Sequence, residues 1–167
     1  KQDLIKALQY MTIAADLGNC VGQRFVAEMY QRGMGCQENH DLAFHYYDLA
    51  AKGGHKSALI GLGFCYGLGE KINRRDQEIE RLDDEIRSDP KKSLKWRQDK
   101  GLELLGQATK NGEKEPWYYM GLIYEKQNNQ EMAIKMYSQA EKAGGYGGGI
   151  WDIRDKITAR LAELQGN

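Results

Sequence analysis

The sequence predicts an all-α fold, a superhelical stack of antiparallel helix pairs, and three observations carry that reading. One pattern of a small residue, a bulky residue four later and an alanine three beyond recurs as Ala7/Met11/Ala14, Ala43/Tyr47/Ala50, Gly101/Leu105/Ala108 and Ala133/Tyr137/Ala140. Between these stands a second pattern, a small residue three before a tyrosine, at Ala27/Tyr30, Gly63/Tyr66 and Gly121/Tyr124. Only two prolines interrupt a chain that is 41% hydrophobic and 29% charged, a composition that suits helices. Two helical patterns alternating in fixed order mark a stacked repeat, each unit a pair of helices. The helix with the small-x-x-Tyr pattern is called A below, and its successor B.

Taken in order, a B helix runs from about Asp3 to Asp16 and is stopped by Gly18, a residue that tolerates the left-handed conformation of a helix end. An A helix spans about 21–31, a loop about 33–40, and a B helix about 41–52, with Asn39 or Asp41 as N-cap. The step from Ala7 to Ala43, and from Ala27 to Gly63, is 36 residues. The next A helix covers about 56–67. The step from Gly63 to Gly121 is 58, so 58 − 36 = 22 extra residues lie between Gly69 and about Lys100. The repeat resumes with a B helix to Lys110 and an A helix from Pro116 to Lys126. Pro116 is suited to a first turn, where its missing N–H costs nothing. A B helix from Gln130 to Ala143 follows, after a step of 32 from Gly101 to Ala133. The final helix, 150–165, lacks the tyrosine signature, since Lys156 stands where Tyr would fall. Its apolar residues Ile150, Ile153, Ile157, Leu161 and Leu164 share one face and are expected to cap the stack. The glycine-rich stretch 144–149 reads as a connector; no strand precedes it and no Lys-Ser/Thr pair follows, so it is not a phosphate loop. The expected organisation is one repeat domain over 1–167, read as a piece of a longer array, with a charged helical insertion at 70–100 and the cap at 150–165.

Several function classes are disfavoured. With 24 basic and 24 acidic residues, the chain lacks the basic excess of an electrostatically driven nucleic-acid or membrane-surface binder. No apolar run approaches the roughly 20 residues that span a bilayer, so direct membrane insertion is not expected. Cys20, Cys36 and Cys65 occupy non-equivalent repeat positions, which argues against a disulfide framework. Cys36, His40, His45 and His55 form the one metal-ligand cluster, but His40 and His45 do not share a helical face. A Cys65/His55 nucleophile pair lacks an orienting group, and the acidic pairs Asp83/Asp84 and Glu113/Glu115 suggest no glycosidase geometry. No catalytic, cofactor or metal site is predicted.

The segments Val26-Ala27-Glu28-Met29-Tyr30-Gln31-Arg32-Gly33-Met34-Gly35 and Leu62-Gly63-Phe64-Cys65-Tyr66-Gly67-Leu68-Gly69 resemble the Leu-Gly-x-x-Tyr-x-x-Gly-x-Gly core of Sel-one-like repeats. Leu42-Ala43, Tyr46-Tyr47, Ala50-Ala51 and Gly54-His55 resemble that family's second helix and its Gly-His ending. The unit built on Trp117, Met120-Gly121 and Tyr124 is closer to a tetratricopeptide repeat. The resemblance implies a right-handed solenoid of antiparallel helix pairs, no chemistry, and a role in binding a protein or peptide partner. The long insertion, Gly101 and the capping helix depart from the pattern. In tetratricopeptide relatives the groove positions lie three before and one after the small residue of helix A. Carried over, they are Arg24 and Glu28, Ile60 and Phe64, and Tyr118 and Leu122, candidates for partner contact or for packing against neighbouring helices. The insertion is a second candidate surface. It holds Ile72, Ile79 and Ile86 at seven-residue intervals and Leu82 three after Ile79, a narrow apolar seam for a partner or for the solenoid itself. The leading expectation is a non-catalytic interaction module or adaptor. The alternatives are an inhibitory protein that occludes a partner enzyme, as toxin-neutralising immunity proteins do, and a structural part of an envelope or secretion complex.

Overall fold

The computed structural model describes residues 2–69, 84–144 and 153–166, and those residues form nine helices and no strand. They are α1 (Gln2–Asp16), α2 (Cys20–Arg32), α3 (His40–Lys52), α4 (Ala58–Leu68), α5 (Asp84–Ser88), α6 (Pro90–Lys110), α7 (Pro116–Lys126), α8 (Gln130–Ala143) and α9 (Arg154–Gln165). The A/B pairs are α2 with α3, α4 with α6, and α7 with α8; α1 packs on α2 and α9 on α8. Each pair also touches the next, α3 against α4 and α6 against α7, which makes the stack continuous. The result is a solenoid of helix pairs, as the alternating patterns predict.

Side chains cap four of the nine described helix starts. Asn19, Asn39 and Asn129 each accept a hydrogen bond from the amide three residues on, at 2.9, 3.0 and 3.1 Å. Each satisfies one of the four amides that a helix N-terminus leaves unpaired. Asp89 does the same for α6 through Lys91 N, with Pro90 in the first turn. Of the two cap residues weighed for α3, Asn39 is the one that acts.

The small residues are contact points between helices. A Cβ added to Gly121 would fall 2.4 Å from Cε1 of Tyr137, and one added to Gly63 would fall 2.8 Å from Cγ of Leu105. In both cases the A-helix glycine sits on the bulky residue of its B helix. Tyr137 and Leu105 are fully buried, and Tyr47 is 5% exposed. The two buried tyrosines each donate a hydrogen bond back to the A helix four residues beyond its small position: Tyr47 to Gln31 at 2.6 Å and Tyr137 to Glu125 at 2.5 Å. The middle unit has a different solution. Leu105 carries no hydroxyl, the position corresponding to Gln31 and Glu125 is Gly67, and the side chain of Ile123 takes up that space.

Gly101 departs from the alanine of its equivalents because α4 and α6 meet backbone to backbone there. A Cβ on it would lie 2.7 Å from Gly67 N and 2.8 Å from Gly63 O. The insertion returns to the solenoid through α5 and the first half of α6. Trp96 meets Tyr66 edge-on at 6.0 Å, and the Arg97 guanidinium donates to the Gly69 carbonyl. Ile157 and Leu161 of α9 are buried against Ala133, Tyr137 and Ala140. Ile72, Ile79 and Leu82 of the expected seam, and Ile150 of the expected cap, lie outside the described residues. All three cysteines are free.

Candidate functional site

The A helices α2, α4 and α7 border a cavity of about 530 Å³. One wall is α2, presenting Val21, Arg24, Glu28, Gln31 and Arg32. The floor is Ile60, Gly61 and Phe64 of α4 with Tyr47 below. The far wall is Tyr119 of α7 and the connection Gly112 to Glu115, with His55 and Ser57 closing one end. Phe64 and Tyr119 meet edge-to-face at 5.4 Å, which gives the cavity an aromatic side. The recess has an apolar floor and mostly polar walls, so it suits a segment that carries both apolar and charged groups.

Charge is arranged in two blocks. Glu28 bridges both arginines of its own helix, Oε2 to Arg24 at 3.1 Å and Oε1 to Arg32 at 2.9 Å. All three side chains are about three-quarters buried. Opposite them stand Glu113 and Glu115. Glu113 accepts a hydrogen bond of 2.5 Å from Ser57 Oγ, which pins the α6–α7 connection to the start of α4. Glu115 is exposed as a residue, yet enough protein surrounds its carboxyl for desolvation to raise its pKa. The charges of Glu113 and Glu28 raise it further, while Arg32 and Arg24 pull the other way. Burial pushes the Tyr119 hydroxyl up to about 12, with the Glu115 charge adding to the effect. His55 Nδ1 is buried and has no hydrogen-bond partner among the described residues. No group of three metal-ligating side chains is gathered among the described residues.

Of the six groove positions, Arg24, Glu28, Ile60 and Phe64 are brought together in this cavity. Ile60 is only 8% exposed, so it serves mainly as floor. Tyr118 and Leu122 lie elsewhere, packed against the core cluster to which α9 contributes Ile157 and Leu161. Of the insertion candidates Ile86 is half-buried on α5, which packs on α6; Ile79 and Leu82 lie outside the described residues. The groove positions do not include Tyr119, Arg32, Glu113 or Glu115. One signal in the sequence reaches part of this set. Val21, Ser57 and Glu115 each stand six before the small residue of their A helix, so one more turn of the register finds all three.

Comparison with known proteins agrees with this architecture. The Sel1 repeat family model matches residues 1–19, 21–55, 56–79 and 117–145, well over half of the chain, and leaves out α5 and α6. No curated protein matches. Among solved structures, the chain is similar to c5321, a protective antigen of uropathogenic Escherichia coli strains displaying an SLR fold. The TM-score is 0.65 at 19% identity, covering 98% of this chain and 29% of that one. It is also similar to a Sel1 repeat protein from Oxalobacter formigenes, with a TM-score of 0.54 at 23% identity, covering 98% of this chain and 40% of that one. At such identities the likeness is one of fold, and this chain spans less than half the length of either neighbour. No helix among the described residues is long and apolar enough to cross a membrane. The repeat matches and the helix-pair stack together settle the family: the chain belongs to the Sel1 repeat family.

Proposed function

We propose that this protein is a non-catalytic binding module and that the cavity between α2, α4 and α7 receives a segment of a partner protein. The observation that carries the reading is the cavity itself, because three A helices from successive units contribute to one recess of about 530 Å³. Its aromatic and aliphatic floor supplies apolar burial. The Arg24/Glu28/Arg32 block and the Glu113/Glu115 block supply orientation, since misplaced charges cost more than matched ones gain. Sel1 repeats are in general interaction scaffolds, which supports the same reading.

The test is site-specific photo-cross-linking. A photoreactive residue at Phe64 or Arg24 is expected to capture the partner, whereas one at Lys52, a largely exposed residue of α3 outside the cavity, is not. Charge reversal of Glu115, which no ion pair holds among the described residues, should weaken binding without unfolding the chain. A partner that cross-links from position 52 and not from 24 or 64 would place docking on another surface.

A further inference from the structure

The first helix carries an interaction surface distinct from the cavity. Nine large apolar side chains are exposed among the described residues; Val21 borders the cavity, seven others lie on α1, the turn after it or the first half of α2, and the ninth is Leu94. Tyr10, Ile13 and Leu17 are 71%, 58% and 83% exposed. Tyr10 and Ile13 stand three apart on α1, and Leu17 follows in the turn after it. Scattered apolar residues are ordinary on a surface, but a concentration at one end of a molecule marks a contact.

The repeat register shows what covers this side of a B helix. Tyr10 corresponds to Tyr46 of α3 and Met136 of α8, three after their small residues. Tyr46 stacks on Tyr30 of α2 with ring centroids 6.2 Å apart, and Met136 is 5% exposed. Met11 corresponds to Tyr47 and Tyr137. Tyr137 lies under Gly121 and beside Tyr118 of α7, so its own A helix covers it. Met11 is 37% exposed where those two are 5% and 0%. At the opposite end of the stack α9 covers α8, whereas among the described residues no helix lies on α1 as α2 lies on α3.

We infer that α1 docks an amphipathic helix of the small-x-x-Tyr type, laid against it as α2 lies on α3. The small residue of that helix sits over Met11 and its tyrosine stacks on Tyr10. Continuity with the α2–α3 and α7–α8 interfaces carries this assignment, and it stands apart from the cavity reading.

The chain supplies its own probe. Residues 20–36 joined ahead of Lys1 place an A helix and its loop in register, because the step from Ala7 to Ala43 is 36 residues. The extended chain should melt about 5 °C or more above the parent, and it should bind less of a dye specific for exposed apolar surface. Tyr10→Gln/Ile13→Gln should abolish both gains. In the parent chain the same pair of substitutions should leave the melting temperature nearly unchanged, since both side chains are exposed there. An extended chain that melts with the parent, or a gain that survives the double substitution, overturns the inference. So does sedimentation of the parent as a dimer that Tyr10→Gln/Ile13→Gln splits, because a second copy would then occupy the face.

Discussion

Gly101→Ala separates the family pattern from the structure, because the two predict opposite signs. The equivalent residues are Ala43 and Ala133, and replacing a mid-helix glycine by alanine is worth about 0.8–1 kcal/mol of helix propensity. Pattern and propensity therefore predict stabilisation. In the structure a Cβ at 101 would stand 2.7 Å from Gly67 N, 2.8 Å from Gly63 O and 2.9 Å from Gly67 Cα. All three are backbone atoms, so no rotamer change relieves the overlap. Relief requires α4 and α6 to move apart, which loosens the packing around the fully buried Leu105 and Ile123. Overpacking costs about 1–3 kcal/mol, and contact between two rigid backbones belongs at the upper end. Taking about 3 kcal/mol and deducting about 1 for propensity leaves a loss of about 2 kcal/mol, or about 4–8 °C in melting temperature for a chain of this size. The assay is thermal and urea unfolding followed by circular dichroism, with Gly106→Ala measured alongside. Gly106 lies on the same helix, and nothing comes within 4 Å of the Cβ it would gain. That substitution should stabilise by about 0.4–1 kcal/mol. If Gly101→Ala were as stabilising as Gly106→Ala, the close approach of α4 and α6 would be refuted.

Three further outcomes are expected. Tyr137→Phe removes a hydrogen bond to a carboxylate and should cost about 1.5–3 kcal/mol, whereas Tyr47→Phe, which loses a neutral acceptor, should cost about 0.5–1.5 kcal/mol; equal losses in urea titrations would contradict the pairing with Glu125. Burial pushes the Cys65 thiol up to about 12, so at pH 8 about one molecule in ten thousand carries the thiolate; a thiol reagent should label half-buried Cys20 in the native chain and reach Cys65 only on unfolding. The raised pKa of Glu115 means that the folded chain holds that proton more tightly than the unfolded one, so the group's favourable contribution is present below about pH 4 and is lost as pH rises through its folded pKa. Glu115→Gln should therefore raise the melting temperature at pH 7 and have little effect near pH 4, and a shift of the same size at both pH values would count against the crowding of carboxylates in the cavity.

The parts of the fold legible in the sequence are those set by local chemistry. Pro116 at a first turn gives α7 its start, and Asn39 caps α3 in the stretch where the pattern places a B helix. The helix from Pro90 through Leu94, Trp96 and Leu102 is equally local, with Asp89 beneath its first turn. What the sequence could not supply depends on contacts between distant residues. Glu113 reaches the cavity because Ser57, 56 residues away, holds it there. Tyr118 and Leu122 stand at groove positions by spacing, yet they pack against a core completed by α9, a helix outside the repeat pattern. The register locates which side of an A helix is concerned, and the neighbour on that side decides whether the residue meets a partner or a core.

The cavity and the irregular middle unit have a common physical origin. Helix α4 is apolar on nearly every side, with Gly61, Gly63 and Gly67 all buried. Between them the three glycines face three neighbouring helices. A Cβ on Gly61 would fall 2.2 Å from the Tyr47 ring, Gly63 lies on Leu105, and Gly67 lies on both Ile123 and Gly101. With side chains at these positions α4 would have to stand off from α3, α6 and α7 together. Without them it seats deeply, and only Phe64 and the edge of Ile60 reach the surface from its centre. Helices α2 and α7 keep long side chains on the same side of the stack, Arg24, Glu28 and Arg32 on one and Tyr119 on the other. A small-residue helix between two long-chained ones leaves a recess, and the Ser57–Glu113 hydrogen bond closes one end of it. The substitutions that tighten the middle unit, glycine at 67 and 101 and leucine at 105, thus follow the same logic as the recess, because both require α4 to sit close against its neighbours.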